Sequence, residues 1–197
     1  MIVCDNIFLS LGGVQIFEGL SFSLEEGEHI CFSGASGRGK STLLKVLMGQ
    51  VSPDKGQIKF FGETLSQKSL PNIRKQLVWI PQNIHLPVEN GHALLSLLEA
   101  KDKVKATQYY MEKLGLDSSL IDKDFSKISG GQKQRIIIAA CLSLDPAVIL
   151  MDEPTAALDE GAIQLLINTL QSLENKTIVS ASHNATWLEC AHRVITL

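Results

Sequence analysis

The chain predicts an α/β fold with a mostly parallel sheet, and three features of the sequence carry that expectation. Short apolar runs recur as candidate buried strands: His29 to Ser33, Leu77 to Ile80, Ala147 to Met151, Thr177 to Ala181 and Val194 to Leu197. Stretches of helical period alternate with them, including Leu43, Leu44, Val46, Leu47 and Met48 after the first and Gly161 to Leu173 before Thr177. Between the first strand and its helix lies a glycine-rich loop that closes on Lys40, Ser41 and Thr42. Strand, loop and helix in that order are the start of a doubly wound sheet.

In chain order, Ile2 to Leu11 and Val14 to Leu24 read as two strands joined by a Gly12-Gly13 hairpin turn, an antiparallel β-subdomain. Ser52-Pro53-Asp54-Lys55-Gly56 is a turn, and Gln57 to Phe61 a strand ending at Gly62. From about Gly91 to Leu144 the β-branched runs thin out and helical periods take over, among them Ala93 to Leu98 and Val104 to Leu114. This reads as an inserted helical subdomain. A chain of 197 residues suits one domain, with 1–82 and 145–197 as the α/β core and 83–144 as the insert.

The loop Gly34-Ala35-Ser36-Gly37-Arg38-Gly39-Lys40-Ser41-Thr42 fits the phosphate-loop pattern G-x-x-x-x-G-K-[ST], in the strand-to-helix context that pattern needs. Glycines let successive backbone N–H groups turn inward, and the helix start adds unpaired donors and a positive dipole end. Lys40 can reach β- and γ-phosphates, and the Ser41 hydroxyl can ligate Mg²⁺. Further on, Val148 to Met151 is an apolar strand ending in Asp152 and Glu153. At the carboxyl end of a parallel strand, Asp152 can hold Mg²⁺ directly or through water, and Glu153 can face an attacking water as general base. The bland alternative is two acids capping the turn that Pro154 begins.

With these residues in hand, the chain resembles the ATP-binding-cassette (ABC) ATPases among the phosphate-loop NTPases. Ile128-Ser129-Gly130-Gly131-Gln132 is similar to the family's signature motif, with Ile where Leu is usual, and Lys133-Gln134-Arg135 follows it. Gln82 after Trp79-Ile80-Pro81 resembles the Q-loop. Ala156-Ala157-Leu158-Asp159 resembles the D-loop, with Ala for the usual Ser, and His183 resembles the switch histidine, with Asn184 for the usual Asp. The motifs come in the family's order and cover nearly the whole chain.

The resemblance implies an ABC cassette that hydrolyses ATP with Mg²⁺ and drives a separately encoded transmembrane permease. Ser129, Gly130, Gly131 and Gln132 would meet the γ-phosphate of ATP held by the partner copy, closing a head-to-tail homodimer or a pair with a paralogous cassette. Asp159 would shape that interface. Gln82 would touch Mg²⁺ or the lytic water, and His183 would contact the γ-phosphate and orient Glu153. The family usually stacks an aromatic side chain on adenine just before the first hairpin turn. Here Leu11 holds that position, and Phe17 is either a substitute or core. Asn83 to Leu98 would receive the permease's cytoplasmic helices, with Ile84, Leu86, Val88, Leu94 and Leu95 lining either that groove or the subdomain core.

Composition narrows the alternatives. Apolar residues make up 45% of the chain, yet no run approaches the roughly 20 residues that cross a bilayer. A net charge of −3 gives no basic field for nucleic acid. Cys4, Cys31, Cys141 and Cys190 are scattered without a C-x-x-C pair, so reduced thiols and a cytoplasmic subunit, peripheral on the inner face of the membrane, are expected. A repair or translation ATPase would call for a long coiled coil or a second cassette. A small-molecule kinase would have no use for Ser129 to Gln132. Val194 to Leu197 closes the last expected strand, which predicts a minimal cassette without a regulatory domain in this chain.

Overall fold

A computed structural model describes residues 2–82 and 87–197. The chain forms two compact units: Met1–Trp79, Ala147–Glu153 and Asn175–Leu197 in the first, Ile80–Pro146 and Pro154–Glu174 in the second.

In the first unit, β1 (Ile2–Leu11) and β2 (Val14–Leu24) pair antiparallel through Leu11 opposite Val14, the hairpin expected at Gly12-Gly13. β4 (Lys55–Phe60) pairs with the other edge of β1, and a two-residue β5 (Glu63–Thr64) completes the order β2-β1-β4-β5. The second sheet holds β3 (His29–Ser33), β6 (Leu77–Ile80), β7 (Val148–Asp152), β8 (Thr177–Ala181) and β9 (Arg193–Thr196) in the order β6-β7-β8-β3-β9. The β3–β8, β3–β9 and β7–β8 ladders are parallel, as the strand–helix alternation predicts. Every residue of β7 and β8 is buried, which is why these strands read as unbroken apolar runs.

The helix α1 (Lys40–Leu47) buries Leu43, Leu44, Val46 and Leu47 in a core shared with Ile30, Phe32, Leu150 and Val179. Phe22 of β2 meets Phe32 of β3 edge to face, with ring centroids 5.0 Å apart, so one core serves both sheets. Phe17 is in that core too, 4% exposed, which settles its role as packing. Several boundaries and two short elements differ from the sequence expectation. β4 starts at Lys55 and stops at Phe60 because Phe61 turns to a φ of 51°. β5 and α2 (Leu70–Arg74) are too short to leave a period in the sequence.

The second unit is helical: α3 (Gly91–Leu97), α4 (Val104–Lys113), α5 (Gly130–Ser143) and α6 (Glu160–Gln171), with 3₁₀ turns between. The sequence places all of 145–197 in the α/β core, whereas α6 compacts with the helices. Two contacts tie it to the end of α4. Leu165 lies so close to Gly115 that a Cβ there would come within 2.7 Å of it, and Thr169 Oγ1 reaches the Lys113 carbonyl at 3.5 Å. Leu94 and Leu95 are each 1% exposed and therefore core; Ile84 and Leu86 lie outside the described residues. The last helix, α7 (Ala185–Glu189), returns to the first unit, with Trp187 fully buried.

Candidate functional site

The parallel register decides which residues meet. Phe32 of β3 and Asp152 of β7 are both opposite Ala181 of β8, so the three strands end level. Their carboxyl ends therefore deliver three segments to one sheet edge: the phosphate loop after β3, Asp152 and Glu153 at the end of β7, His183 after β8.

The loop from Gly34 to Gly39 owes its shape to glycine. Gly39 sits at the α1 N-cap with φ 91°, and a Cβ there would lie 2.6 Å from Ile16 Cγ2 and 3.1 Å from Phe17 Cε1. The β2 side chains thus press on the loop from below, and only a residue without a side chain fits. Among the described residues no side chain caps α1, so its first N–H groups are open to an anion. The Lys40 ammonium lies against the Gly34 and Ala35 carbonyls at 2.7 and 3.2 Å, inside the loop.

Asp152 is 5% exposed, and Ser41 hydrogen-bonds to its carboxyl group. Burial pushes that carboxyl above the usual carboxylate range; the Glu153 charge adds to this, while Ser41, Lys45 and Lys40 work against it. Its Oδ1 is buried and meets no hydrogen-bond partner among the described residues. A buried oxygen left over beside a serine hydroxyl and a phosphate loop suits a small divalent cation, whose charge would favour the ionised form. Glu153 is 7% exposed: His183 Nδ1 is 3.0 Å from Oε1, while Oε2 is buried without a partner among the described residues. Its backbone stands at φ 46°, the left-handed region, which costs a non-glycine residue about 1–3 kcal/mol.

In the second unit, Ser129 and Gln132 close a capping box at the start of α5. The Gln132 N–H donates to Ser129 Oγ at 3.2 Å, and the Ser129 N–H donates to Gln132 Oε1 at 3.0 Å. Gly130 faces open space, but a Cβ on Gly131 would lie 2.6 Å from the Ala157 carbonyl oxygen. The glycine of the signature therefore packs on the loop that leads to Asp159. Asp159 itself caps α6 by accepting from the Ala162 N–H at 2.8 Å, and Asn184 caps α7 by accepting from the Trp187 N–H at 2.9 Å. Gln82 is exposed just past β6, and its neighbours 83–86 are outside the described residues.

The structure thus gathers Lys40, Ser41, Asp152, Glu153 and His183 in one unit, and Ser129 to Gln132 with the 154–159 loop in the other. One residue enters the sequence reading only as part of the Lys133-Gln134-Arg135 run after the signature, with no role of its own. Gln134 is 7% exposed and donates from Nε2 to the Pro154 carbonyl at 2.8 Å. Its position four residues before Ile138 and seven before Cys141, on a buried helix face, is the signal that could have found it.

Fold and loop together define a phosphate-loop nucleotide-binding protein. Residues 17–156 match the family model described as ABC transporter. The chain is 32% identical over 202 residues to the energy-coupling factor transporter ATP-binding protein EcfA1 of Mycoplasma pneumoniae, covering 98% of this chain and 74% of that one. It is 31% identical to the ergothioneine transport ATP-binding protein EgtV of Helicobacter pylori, covering 93% and 90%. Among solved structures, a dimeric post-hydrolysis state of the ATP-binding cassette MJ0796 bound to ADP and Pi superposes with a TM-score of 0.84 at 25% identity, covering 100% of this chain and 94% of that one. The chain belongs to the ABC transporter family. It is an ATP-binding, ATP-hydrolysing subunit of a transporter of that kind.

Proposed function

We propose that the cassette turns over Mg²⁺-ATP at the β3–β7–β8 edge, with Glu153 as general base, and that ATP closes it head to tail on a second copy. The observation that carries this reading is the pairing of a phosphate loop with a buried carboxylate whose Oε1 is held by His183 and whose Oε2 has no partner among the described residues. Lys40 and the N–H groups of Gly34 to Thr42 bind the β- and γ-phosphates. Ser41 and Asp152, with Gln82, would hold Mg²⁺, which when bound supplies positive charge against the phosphate oxygens. Glu153 Oε2 takes a proton from the water that attacks the γ-phosphorus, and His183 keeps the carboxylate aimed while its exposed ring reaches the γ-phosphate. The partner copy's signature segment, equivalent to Ser129 to Gln132 here, covers the same γ-phosphate, and Asp159 shapes the loop beside it. Hydrolysis removes the group that bridges the copies, and the dimer opens.

The dimeric cassette MJ0796 supports the two-copy arrangement. The relatives' role as transporter ATP-binding proteins supports a separate membrane permease as the driven partner, with this chain peripheral on its cytoplasmic side. Among the described residues no helix is long and apolar enough to cross a membrane. The test is Glu153→Gln. Steady-state phosphate release should fall by roughly 10²–10⁴-fold, the scale of a positioned base, while ATP shifts the protein to a dimer in light scattering. Unchanged phosphate release would remove Glu153 from the role; a strictly monomeric variant with ATP and its membrane partner would remove the sandwich.

A further inference from the structure

Glu153 and Pro154 mark a joint in the chain: one compact unit ends at Glu153 and the other resumes at Pro154. A left-handed backbone at a glutamate persists only where its surroundings over-determine it. On the amino side the restraint is the Glu153 N–H, which donates to the Ala181 carbonyl at 2.8 Å. On the other side Pro154 has no N–H to be held by. Its buried carbonyl is the handle instead, and the Gln134 amide takes it at 2.8 Å. Gln134 lies on the buried face of α5, where its neighbours one turn on are Ile137 and Ile138. An apolar residue would suit that face; an amide belongs there only with a partner.

We propose that Gln134 is a positioning residue for ATP hydrolysis: by holding the Pro154 carbonyl it fixes the Pro154–Thr155 peptide, and through the proline ring, whose φ is locked, the backbone on which the Glu153 carboxylate is aimed. The proposal rests on Glu153 being the general base. Gln134 touches no nucleotide in this scheme, so its effect is confined to turnover. Gly131, pressed against the Ala157 carbonyl, braces the same loop from the first turn of α5, and the 154–159 segment is therefore held at two points by one helix.

Two variants test it. Gln134→Met keeps the length and loses the donor; Gln134→Glu keeps the shape and, when ionised, opposes an acceptor to an acceptor. Both should lower kcat about 10- to 100-fold, with KM and ATP affinity within about threefold, because misaiming a base costs turnover and not ground-state binding. In a Glu153→Gln background, Gln134→Met should lower single-turnover hydrolysis by less than about twofold, since the group it positions is already gone. A kcat within about twofold of the parent for Gln134→Met overturns the proposal, and so does a loss that multiplies in the Glu153→Gln background. Failure of both variants to unfold cooperatively or bind ATP would also overturn it, because Gln134 would then be holding the fold. Unchanged turnover in Glu153→Gln alone would overturn the base reading first, and this proposal with it.

Discussion

Leu11 shows how much one residue can leave to chemistry. It ends β1, opposite Val14 across the hairpin, and both side chains are exposed, 42% and 61%. Adenine laid there, as the family resemblance implies, would find aliphatic contact without a ring to stack on. Phe17 cannot step in, because it is packed under Gly39. Base stacking on an aromatic is worth about 1–3 kcal/mol, so the native protein should prefer ATP over GTP only modestly. Leu11→Tyr should tighten ATP binding by about 5- to 100-fold in a fluorescence titration, leaving phosphate-loop contacts alone. A native preference of about a thousandfold, roughly 4 kcal/mol, would contradict this account.

At the scale of the element, the start of α5 sets two neighbouring glycines against each other. Helix propensity alone says that Gly→Ala stabilises by about 0.5–1 kcal/mol at either position. A Cβ on Gly130 would meet nothing within 4 Å among the described residues, so Gly130→Ala should gain about that much. At Gly131 the added methyl would be 2.6 Å from a backbone oxygen, and overpacking of that kind costs about 1–3 kcal/mol, so the sign reverses. Denaturant unfolding of the two variants checks the contrast; equal effects would mean that the α5 start does not bear on the 154–159 loop. The motif in the sequence marked both glycines as ligand-facing, but nothing in it said which one carries a packing duty. The caps were legible to the same degree. Ser129, Asp159 and Asn184 are good N-cap residues by type, yet their capping shows only once the N–H groups of the next turn are in place.

For the molecule as a whole, stability should depend on a histidine far from the nucleotide. His29 is buried in the first unit, with Nε2 2.8 Å from Ser180 Oγ and its ring edge-on to Trp187. Burial, with the His192 charge adding, pushes it down to about 4 from an ordinary value of 6.5. A histidine held neutral in the fold but free to charge when unfolded stabilises fully above about pH 6.5, and that contribution is lost as pH falls toward 4. The amount is on the order of 3 kcal/mol. The thermal midpoint should therefore drop steadily across this window, and His29→Gln, which keeps a donor for Ser180, should flatten the drop. The thiols take no part: burial pushes Cys4 and Cys141 up to about 12, so they stay protonated throughout.

The sequence by itself determined the strand–loop–helix at Gly34 to Thr42, the acid pair at the end of β7 and the parallel sheet, because each of these is written in local spacing: a glycine pattern, an apolar run, a period. Only the tertiary structure decided that Asp152 and Glu153 each keep one buried oxygen unpaired among the described residues, that His183 takes up the other oxygen of Glu153, and that Gln134 turns inward to Pro154. Those facts depend on register between strands distant in sequence and on which face of α5 is buried. Neither is local, so no window of residues could have contained them.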